Sequence, residues 1–183
     1  MTRFNEVLNN ISQSDDEIKA EGDKVFTPAG LARQLIAATP FKEGQTLLDP
    51  AKGHGAFYDN FPLENLTSWA EIGEKKDFFH VQTKYDWLIT NPPFSNLKKW
   101  LLHSCLISQA GFAYIIPLHG LTEHRVRACA ELGFNITSLT VIKNPTKWEL
   151  GFAMAWVVWE KTPEKNIGVL NPPKGQQTSL ADF

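Results

Sequence analysis

The sequence predicts an α/β fold in which helices cover both faces of a mostly parallel sheet. Short apolar runs alternate along the chain with segments of helical spacing, an order typical of parallel strands joined by crossover helices. Polar residues close several of the apolar runs, at the strand ends where such sheets bind ligands. A length of 183 residues, with 43% of them hydrophobic and 21% charged, suits one globular domain.

The predicted elements follow a polar N-terminal arm, residues 1–24. Thr27-Pro28 is typical of a helix start, with a cap residue before a proline at the first helical position. We expect this helix to run from Ala29 to Thr39, where Pro40 stops it. Two more helices are predicted from their apolar spacing, at residues 96–108 and 123–132. Strands are predicted from apolar runs bounded by turn residues, at residues 45–48, 66–72, 87–90, 112–116, 136–142 and 152–160.

A glycine-rich turn follows the first predicted strand, which ends at Asp49-Pro50. Gly53 and Gly55 allow the backbone to approach a ligand closely, and the carboxylate at the head of the turn suits a cationic ammonium group. The turn does not have the dinucleotide signature, and its anionic head argues against a pyrophosphate at this place. It also lacks the phosphate-binding signature of nucleotide hydrolases, which argues against hydrolysis of a nucleotide triphosphate. A tight turn without a ligand is the alternative interpretation.

Two further acidic positions follow the second predicted strand. Glu71 closes that strand, 22 residues after Asp49, where a carboxylate can accept hydrogen bonds from both hydroxyls of a ribose. Asp77-Phe78 offers an acceptor for an adenine amino group and an apolar wall. A solvated glutamate at a strand end and a capped turn with core aromatics are the alternatives.

The turn Asn91-Pro92-Pro93-Phe94 follows the apolar run that ends at Thr90. Two prolines fix φ at about −65° and remove two backbone donors, so the strand stops there. The turn presents an amide side chain, a backbone carbonyl and an aromatic ring, which together suit a planar base that carries an amino group. A strand-ending turn with an ordinary hydrophobic phenylalanine is the alternative.

Taken in order, these residues resemble the motifs of the class I S-adenosylmethionine-dependent methyltransferases, in particular the N6-adenine branch. The similarity extends over about residues 25–160. The fold that it implies is Rossmann-like, with a mostly parallel seven-stranded sheet whose last strand is antiparallel and with helices on both faces. The matching positions are Thr27-Pro28, Asp49-Pro50, Gly53, Gly55, Glu71, Asp77-Phe78 and Asn91-Pro92-Pro93-Phe94.

The resemblance implies S-adenosyl-L-methionine as the cofactor and adenine N6 as the methyl acceptor, with no metal ion. The positions that correspond to cofactor-binding residues are Thr27, Pro28, Asp49, Pro50, Gly53, Gly55, Glu71, Asp77 and Phe78. The positions that correspond to the catalytic turn are Asn91, Pro92, Pro93 and Phe94. In this assignment the Asn91 side-chain oxygen and the Pro92 carbonyl accept the two N6 hydrogens, and Phe94 stacks on the base.

The resemblance makes residues 25–161 the methyltransferase catalytic domain, and two features of the chain depart from most of the family. No separate target-recognition domain is expected, and only five residues separate Glu71 from Asp77, where most relatives place a helix. A compact phage-type or orphan DNA adenine methyltransferase is therefore expected, with DNA as its partner. The alternatives are ribosomal RNA as the substrate and a non-catalytic methyltransferase-like subunit.

The C-terminal residues 162–183 are rich in Pro, Gly and Asn, so a flexible tail is expected. Its last seven residues contain Gln177, Leu180 and Phe183 in the pattern Q-x-x-L-x-x-F. This pattern resembles the peptide with which replication proteins bind a sliding clamp, although the usual second aromatic is absent. A disordered polar end with two chance hydrophobic residues is the alternative.

The composition indicates an intracellular, reducing compartment. The N-terminus turns polar at once, unlike a signal peptide, and no apolar run approaches the ~20 residues that span a bilayer. Cys105 and Cys129 are too few for a disulfide framework or a zinc site. The net charge of −2 does not indicate a nucleic-acid binder, although a local basic surface is invisible in that total. We expect a cytoplasmic protein without a membrane partner, nucleoid-associated or phage-encoded.

Overall fold

A computed structural model of the chain describes residues 25–146, 148, 150–164 and 167. Its helices are α1 (Ala29–Ala37), α2 (Leu97–Ile107) and α3 (Glu123–Glu131). Its strands are β1 (Thr46–Asp49), β2 (Leu66–Trp69), β3 (Tyr85–Thr90), β4 (Ser108–Pro117), β5 (Phe134–Ile142) and β6 (Met154–Lys161). Single 3₁₀ turns occur at Tyr58–Asn60, Ile72–Glu74, Phe78–His80 and Leu118–Gly120. None of the helices in this part of the chain has the length and apolar content that crossing a membrane requires.

The strands form one sheet in the order β2-β1-β3-β4-β6-β5. β1 pairs parallel with β2 and with β3, and β3 pairs parallel with β4. β6 runs antiparallel to both of its neighbours, β4 and β5. The predicted Rossmann-like α/β class, with a mostly parallel sheet and an antiparallel last strand, is confirmed.

The sheet has six strands among the described residues, where the sequence analysis expected seven. Residues 70–84 connect β2 directly to β3 and contain two 3₁₀ turns instead of a helix and a strand. A parallel crossover needs about a dozen residues or more, so this connection has room for one crossover and not for two. β2 is therefore an edge strand.

Side chains alternate along the strands and point to two apolar faces, as expected for a parallel sheet that is covered on both sides. Leu48, Leu88 and Phe112 pack in one core cluster with α2 and α3. Leu47 and Ile89 pack in the second cluster with α1. The predicted placement of helices on both faces is thereby confirmed.

The start of α1 differs from the prediction in one useful respect. The helix begins at Ala29 as expected, but its N-cap is Pro28 and no side chain caps it. The Thr27 hydroxyl oxygen is buried and has no hydrogen-bond partner within the described residues. The predicted capping role of Thr27 is therefore wrong, and its hydroxyl is left for another partner.

The predicted tail begins where β6 ends, at Lys161. Beyond that strand, Ile167 forms an isolated antiparallel bridge with Ile136 of β5, at the outer edge of the sheet. The predicted arm (residues 1–24) and the clamp-like residues Gln177, Leu180 and Phe183 lie outside the described residues. The clamp-binding peptide stays a prediction.

Gly111 in β4 provides a direct test of how tightly the centre of the sheet is packed. A Cβ atom at this position would lie 2.6 Å from the Trp159 carbonyl oxygen and from the Trp87 ring. Because both neighbours are buried, we expect Gly111→Ala to lower the free energy of unfolding by about 1–3 kcal/mol, as overpacked cores do. The measurement is chemical denaturation.

The control is Gly151→Ala, because no heavy atom lies within 4 Å of a Cβ built at that position. This variant should unfold like the unmodified protein. Equal stabilities of the two variants would contradict the described packing around Gly111.

Candidate active site

A cavity of about 410 Å³ opens at the carboxyl edge of the sheet, beside the ends of β1, β2 and β3. The strand order reverses at β1, which has β2 on one side and β3 on the other, and open α/β sheets bind ligands at such a point. The lining residues come from the segment before α1, the glycine loop (residues 50–55) with its continuation, and the turns after β2 and β3. They are Val25, Phe26, Thr27, Ala51, Lys52, Gly53, His54, Ala56, Phe57, Glu71, Ile72, Gly73, Glu74, Asn91 and Pro93.

Asp49 lies beneath this cavity and is fully buried at the end of β1. Its Oδ1 accepts hydrogen bonds from the Thr90 hydroxyl at 2.7 Å and from the Ala51 N–H at 3.3 Å. Its Oδ2 accepts from the Tyr58 N–H at 3.1 Å. The carboxylate thus joins the end of β3, the glycine loop and the turn behind that loop, and it does not itself line the cavity.

Burial raises the pKa of the Asp49 carboxyl from its ordinary value of 3.8 to about 7, against the three hydrogen bonds, which lower it. The nearby Glu71 carboxylate adds a smaller upward contribution to the pKa of Asp49. Desolvation disfavours a buried charge more strongly than these neutral donors favour it.

Glu71 connects the turn after β2 to the glycine loop. Its Oε2 accepts from the Gly53 N–H at 2.7 Å, and its Oε1 accepts from the Gly73 N–H at 3.2 Å. Gly53 has a φ of 51°, in the left-handed region that favours glycine. The half-buried Glu71 carboxylate therefore holds the loop in shape while it lines the cavity.

Lys52, a basic residue inside the glycine loop, is directed to the side wall of the cavity. Its Nζ lies 3.0 Å from Glu74 Oε1 and 4.2 Å from the centre of the Trp69 ring. The Lys76 ammonium lies over the same ring at 3.4 Å. The positive charge of Lys52 is thus paired with a carboxylate and an aromatic face, which explains how it is accommodated beside a ligand cavity.

Asn91, the first residue of the Pro-Pro turn, has its amide oriented by the segment before α1. We call residues Val25–Thr27 the strap. Asn91 Nδ2 donates to the Val25 carbonyl oxygen at 2.7 Å. Asn91 Oδ1 is buried and has no hydrogen-bond partner in the described part of the chain. Because buried polar atoms are nearly always paired, this oxygen marks a place for a donor from outside the protein.

The strap itself lies across the glycine loop. The Phe26 ring stacks on the His54 ring, with centroids 3.9 Å apart and an interplanar angle of 7°. The strap also supplies Thr27, whose buried hydroxyl oxygen is the second unpaired polar atom among the described residues that line the cavity. The strap and the glycine loop therefore form one wall of the cavity together.

The structure gathers part of the predicted site around this cavity. The predicted residues that line it are Thr27, Gly53, Glu71, Asn91 and Pro93. The predicted residues that lie outside its lining are Pro28, Asp49, Pro50, Gly55, Asp77, Phe78, Pro92 and Phe94. Asp49 acts from beneath as a support, and Gly55 has a φ of 85°, which shapes the same loop.

Asp77 and Phe78 lie apart from the cavity. Asp77 accepts a hydrogen bond from the Phe79 N–H at 2.9 Å and lines a separate cavity of about 490 Å³ beside β2. Phe78 is 2% exposed, and its ring stacks on Trp100 at 4.5 Å. The short connection after β2 thus uses this pair for a capped turn and a core contact.

Phe94 is half-buried and packs against the core cluster beneath α1. It is the last residue of the Asn91–Phe94 turn, and it does not line the cavity. Its ring therefore lies on the α1 side of the turn, whereas Asn91 and Pro93 lie on the cavity side.

Ten of the residues that line the cavity were not predicted as site residues, and Phe26, His54 and Ile72 are the most informative of them. Ile72, directly after Glu71, is 76% exposed. The signal in the sequence that could have identified it is an apolar residue beside the strand-end carboxylate. Phe26 and His54 could not be paired from the sequence, because 27 positions separate them and only the fold brings their rings together.

Solved structures resemble this chain in fold. A candidate RNA methyltransferase from Pyrococcus horikoshii is 20% identical, with coverage of 88% of this chain and 100% of that one and a TM-score of 0.61. Magnesium protoporphyrin IX methyltransferase from Synechocystis, solved with bound S-adenosylmethionine, is 12% identical, with coverage of 86% and 90% and a TM-score of 0.59. The M protein of the type I restriction enzyme EcoKI is 12% identical, with coverage of 80% and 45% and a TM-score of 0.50.

At these identities the likeness shows the fold, which is that of the class I methyltransferases. No protein-family model matches the sequence, and no curated protein matches it either.

The raised pKa of Asp49 predicts a pH dependence of stability. Between pH values of about 4 and 7 the folded protein holds a proton at Asp49 that the unfolded chain releases. The free energy of unfolding therefore decreases as the pH rises through this window. Denaturation curves at several pH values should show this decrease in the unmodified protein and a smaller one in Asp49→Asn.

Asp59→Asn serves as the control for this comparison, because Asp59 is exposed. It should retain the pH dependence of the unmodified protein. If Asp49→Asn retained the same dependence, the proton bound at Asp49 in the folded state would be ruled out.

Proposed function

We propose that the protein transfers a methyl group from S-adenosyl-L-methionine to the exocyclic N6 of adenine in DNA. The observation that carries this proposal is the orientation of the Asn91 amide. Its Nδ2 donates to the Val25 carbonyl, and its buried Oδ1 is an acceptor that has no donor among the residues that the structure describes. An exocyclic amino group supplies the donor that this oxygen lacks.

The cavity fits the cofactor in size and in chemistry. A volume of about 410 Å³ lies within the range of about 300–1,000 Å³ that is typical of small-molecule sites. Glu71 lines the cavity with a carboxylate that can accept the ribose hydroxyls. The exposed side chain of Ile72 next to it offers an apolar surface to the adenine ring. The Thr27 hydroxyl, which is buried and has no partner within the described part of the chain, provides a polar contact at the strap.

The positive charge of the cofactor is also compatible with the site. S-adenosylmethionine supplies a methyl group that is already activated on a sulfonium, so the protein mainly has to align the acceptor. Asp49 and Glu71 place two carboxyl groups beneath and beside the cavity. A cation bound nearby favours the ionised form of Asp49.

The turn after β3 supplies what the acceptor needs. The N6 lone pair of adenine is delocalised into the ring and is a poor nucleophile. Asn91 Oδ1 and the Pro92 carbonyl accept the two N6 hydrogens, which draws the nitrogen toward tetrahedral geometry and frees its lone pair. No strong general base is required beforehand, because the nitrogen becomes cationic on methylation and then releases a proton to water. The stacking role that the resemblance implies for Phe94 is not part of this proposal, because its ring packs against the core cluster beneath α1 and does not line the cavity.

Duplex DNA can satisfy this geometry only if the target base leaves the helix, at a cost of a few kcal/mol. RNA is the second candidate substrate, and the likeness to a candidate RNA methyltransferase over the whole of that chain favours it. The likeness to the EcoKI M protein favours DNA. Both substrates would use the same turn and the same cofactor cavity.

The direct test is methyl transfer to defined substrates. Duplex DNA, single-stranded DNA and structured RNA are incubated with the protein and labelled S-adenosylmethionine, and the products are digested for mass spectrometry. We expect N6-methyladenine in DNA. Methylation of RNA alone would assign the second candidate, and transfer to none of the substrates would contradict methyltransferase activity.

Asn91→Ala should separate catalysis from cofactor binding. The variant loses the acceptor for the N6 hydrogens, so we expect methyl transfer to fall by about 100-fold or more, as when a transition-state hydrogen bond is removed elsewhere. It also loses the contact with the Val25 carbonyl, which should weaken cofactor binding by less than about tenfold. Single-turnover transfer and calorimetry measure the two effects.

The matched control is Asn96→Ala. Asn96 precedes α2 without capping it through its side chain, and it is not among the cavity residues. Transfer by this variant should equal that of the unmodified protein. A loss of cofactor binding in Asn91→Ala as large as its loss of transfer would contradict the assigned role of the amide.

A further inference from the structure

Trp148, in the loop between β5 and β6, makes a hydrogen bond that the proposed function does not use. Its indole Nε1 donates to the Phe26 carbonyl oxygen at 2.9 Å, across 122 positions of the chain. Its side chain is 6% exposed and packs in the core cluster beneath α1. The bond ties the strap to the segment between β5 and β6.

The strap is held at three neighbouring points. The Val25 carbonyl accepts from Asn91 Nδ2, the Phe26 carbonyl accepts from the Trp148 indole, and the Phe26 ring stacks on His54. Val25 and Phe26 are consecutive, and consecutive Cα atoms are about 3.8 Å apart. A bond that fixes the carbonyl of one residue therefore restrains the carbonyl of the other.

Burial makes the indole contact a firm one. A buried N–H group has lost its hydration and costs free energy when it has no acceptor. The arrangement in which the Phe26 carbonyl accepts from the Trp148 indole is therefore favoured over one in which the strap moves away. Trp159 offers the opposite case, since its Nε1 is buried without a partner among the described residues. Of these two buried indoles, only Trp148 uses its N–H to hold another segment.

We propose that Trp148 is a positioning residue for the active site. Its N–H keeps the strap in place, so that the Val25 carbonyl turns the Asn91 amide and leaves Oδ1 available to the acceptor base. The same bond keeps the Phe26 ring over the glycine loop, where it forms part of the cofactor cavity. The catalytic consequence rests on the proposed function, whereas the position of the strap can be measured without any cofactor.

The first test uses NMR to detect whether the Phe26 ring of the strap stays on the His54 ring. The protein contains five histidines, and the His54 ring is shielded by the ring of Phe26 stacked on it. Its resonance is identified by its absence in His54→Gln. In Trp148→Phe we expect it to move toward the position of an exposed histidine, whereas in Trp159→Phe it stays.

The pair of variants is matched. Both exchange a buried indole for a phenyl ring, and only Trp148→Phe removes a hydrogen bond to the strap. Thermal unfolding of both variants shows whether they lose a comparable amount of stability. A His54 resonance that is unchanged in Trp148→Phe overturns the proposal.

The second test measures catalysis. We expect single-turnover methyl transfer by Trp148→Phe to be roughly two- to tenfold slower than by Trp159→Phe, the loss that one net hydrogen bond corresponds to. Equal rates overturn the positioning role even if the strap moves. If the unmodified protein neither binds S-adenosylmethionine nor transfers methyl groups, the proposed function fails, and the NMR comparison still decides whether Trp148 holds the strap.

Discussion

One buried carboxylate joins the segments from which the candidate site is built. Asp49, at the end of β1, accepts hydrogen bonds from the Thr90 hydroxyl and from the backbone N–H groups of Ala51 and Tyr58. Thr90 directly precedes the Pro-Pro turn, and Ala51 belongs to the glycine loop. A carboxylate buried this deeply has to keep its hydrogen-bond partners, so it sets the distance between the loop and the turn. The cavity walls depend on this contact, although Asp49 does not line the cavity.

Two side chains then turn this frame into a binding site. Glu71 uses both carboxylate oxygens on backbone N–H groups, one of them at Gly53, and so gives the glycine loop its shape while it faces the cavity. Asn91 uses only its donor side, on the Val25 carbonyl, and its oxygen stays unpaired among the described residues. Glu71 thus pairs with the protein's own backbone and also lines the cavity, whereas the Asn91 oxygen has no donor among the described residues and is left for a ligand. That difference separates the residues that build the site from the residue proposed to act in it.

Most of the fold could be predicted from the sequence, because the spacing of apolar residues differs between helices and buried strands. The sequence also placed Glu71 and Asn91 at strand ends, because the carboxyl ends of parallel strands meet at one edge. It could not show that Asp49 is a buried support, since a strand-end aspartate has the same pattern in either role. The contact of Trp148 with Phe26 spans 122 positions and exists only once the sheet has formed. The seventh strand was expected from resemblance, and the short connection after β2 has no room for it.

The most direct measurement is a calorimetric titration of the protein with S-adenosylmethionine. We expect binding at one site per chain, and an affinity at least about tenfold weaker in Glu71→Gln, because the glutamine amide has one acceptor oxygen where the carboxylate has two. Glu43→Gln, an exposed glutamate outside the cavity, should bind like the unmodified protein. The absence of binding to the unmodified protein, or an unchanged affinity in Glu71→Gln, would contradict a cofactor site in this cavity.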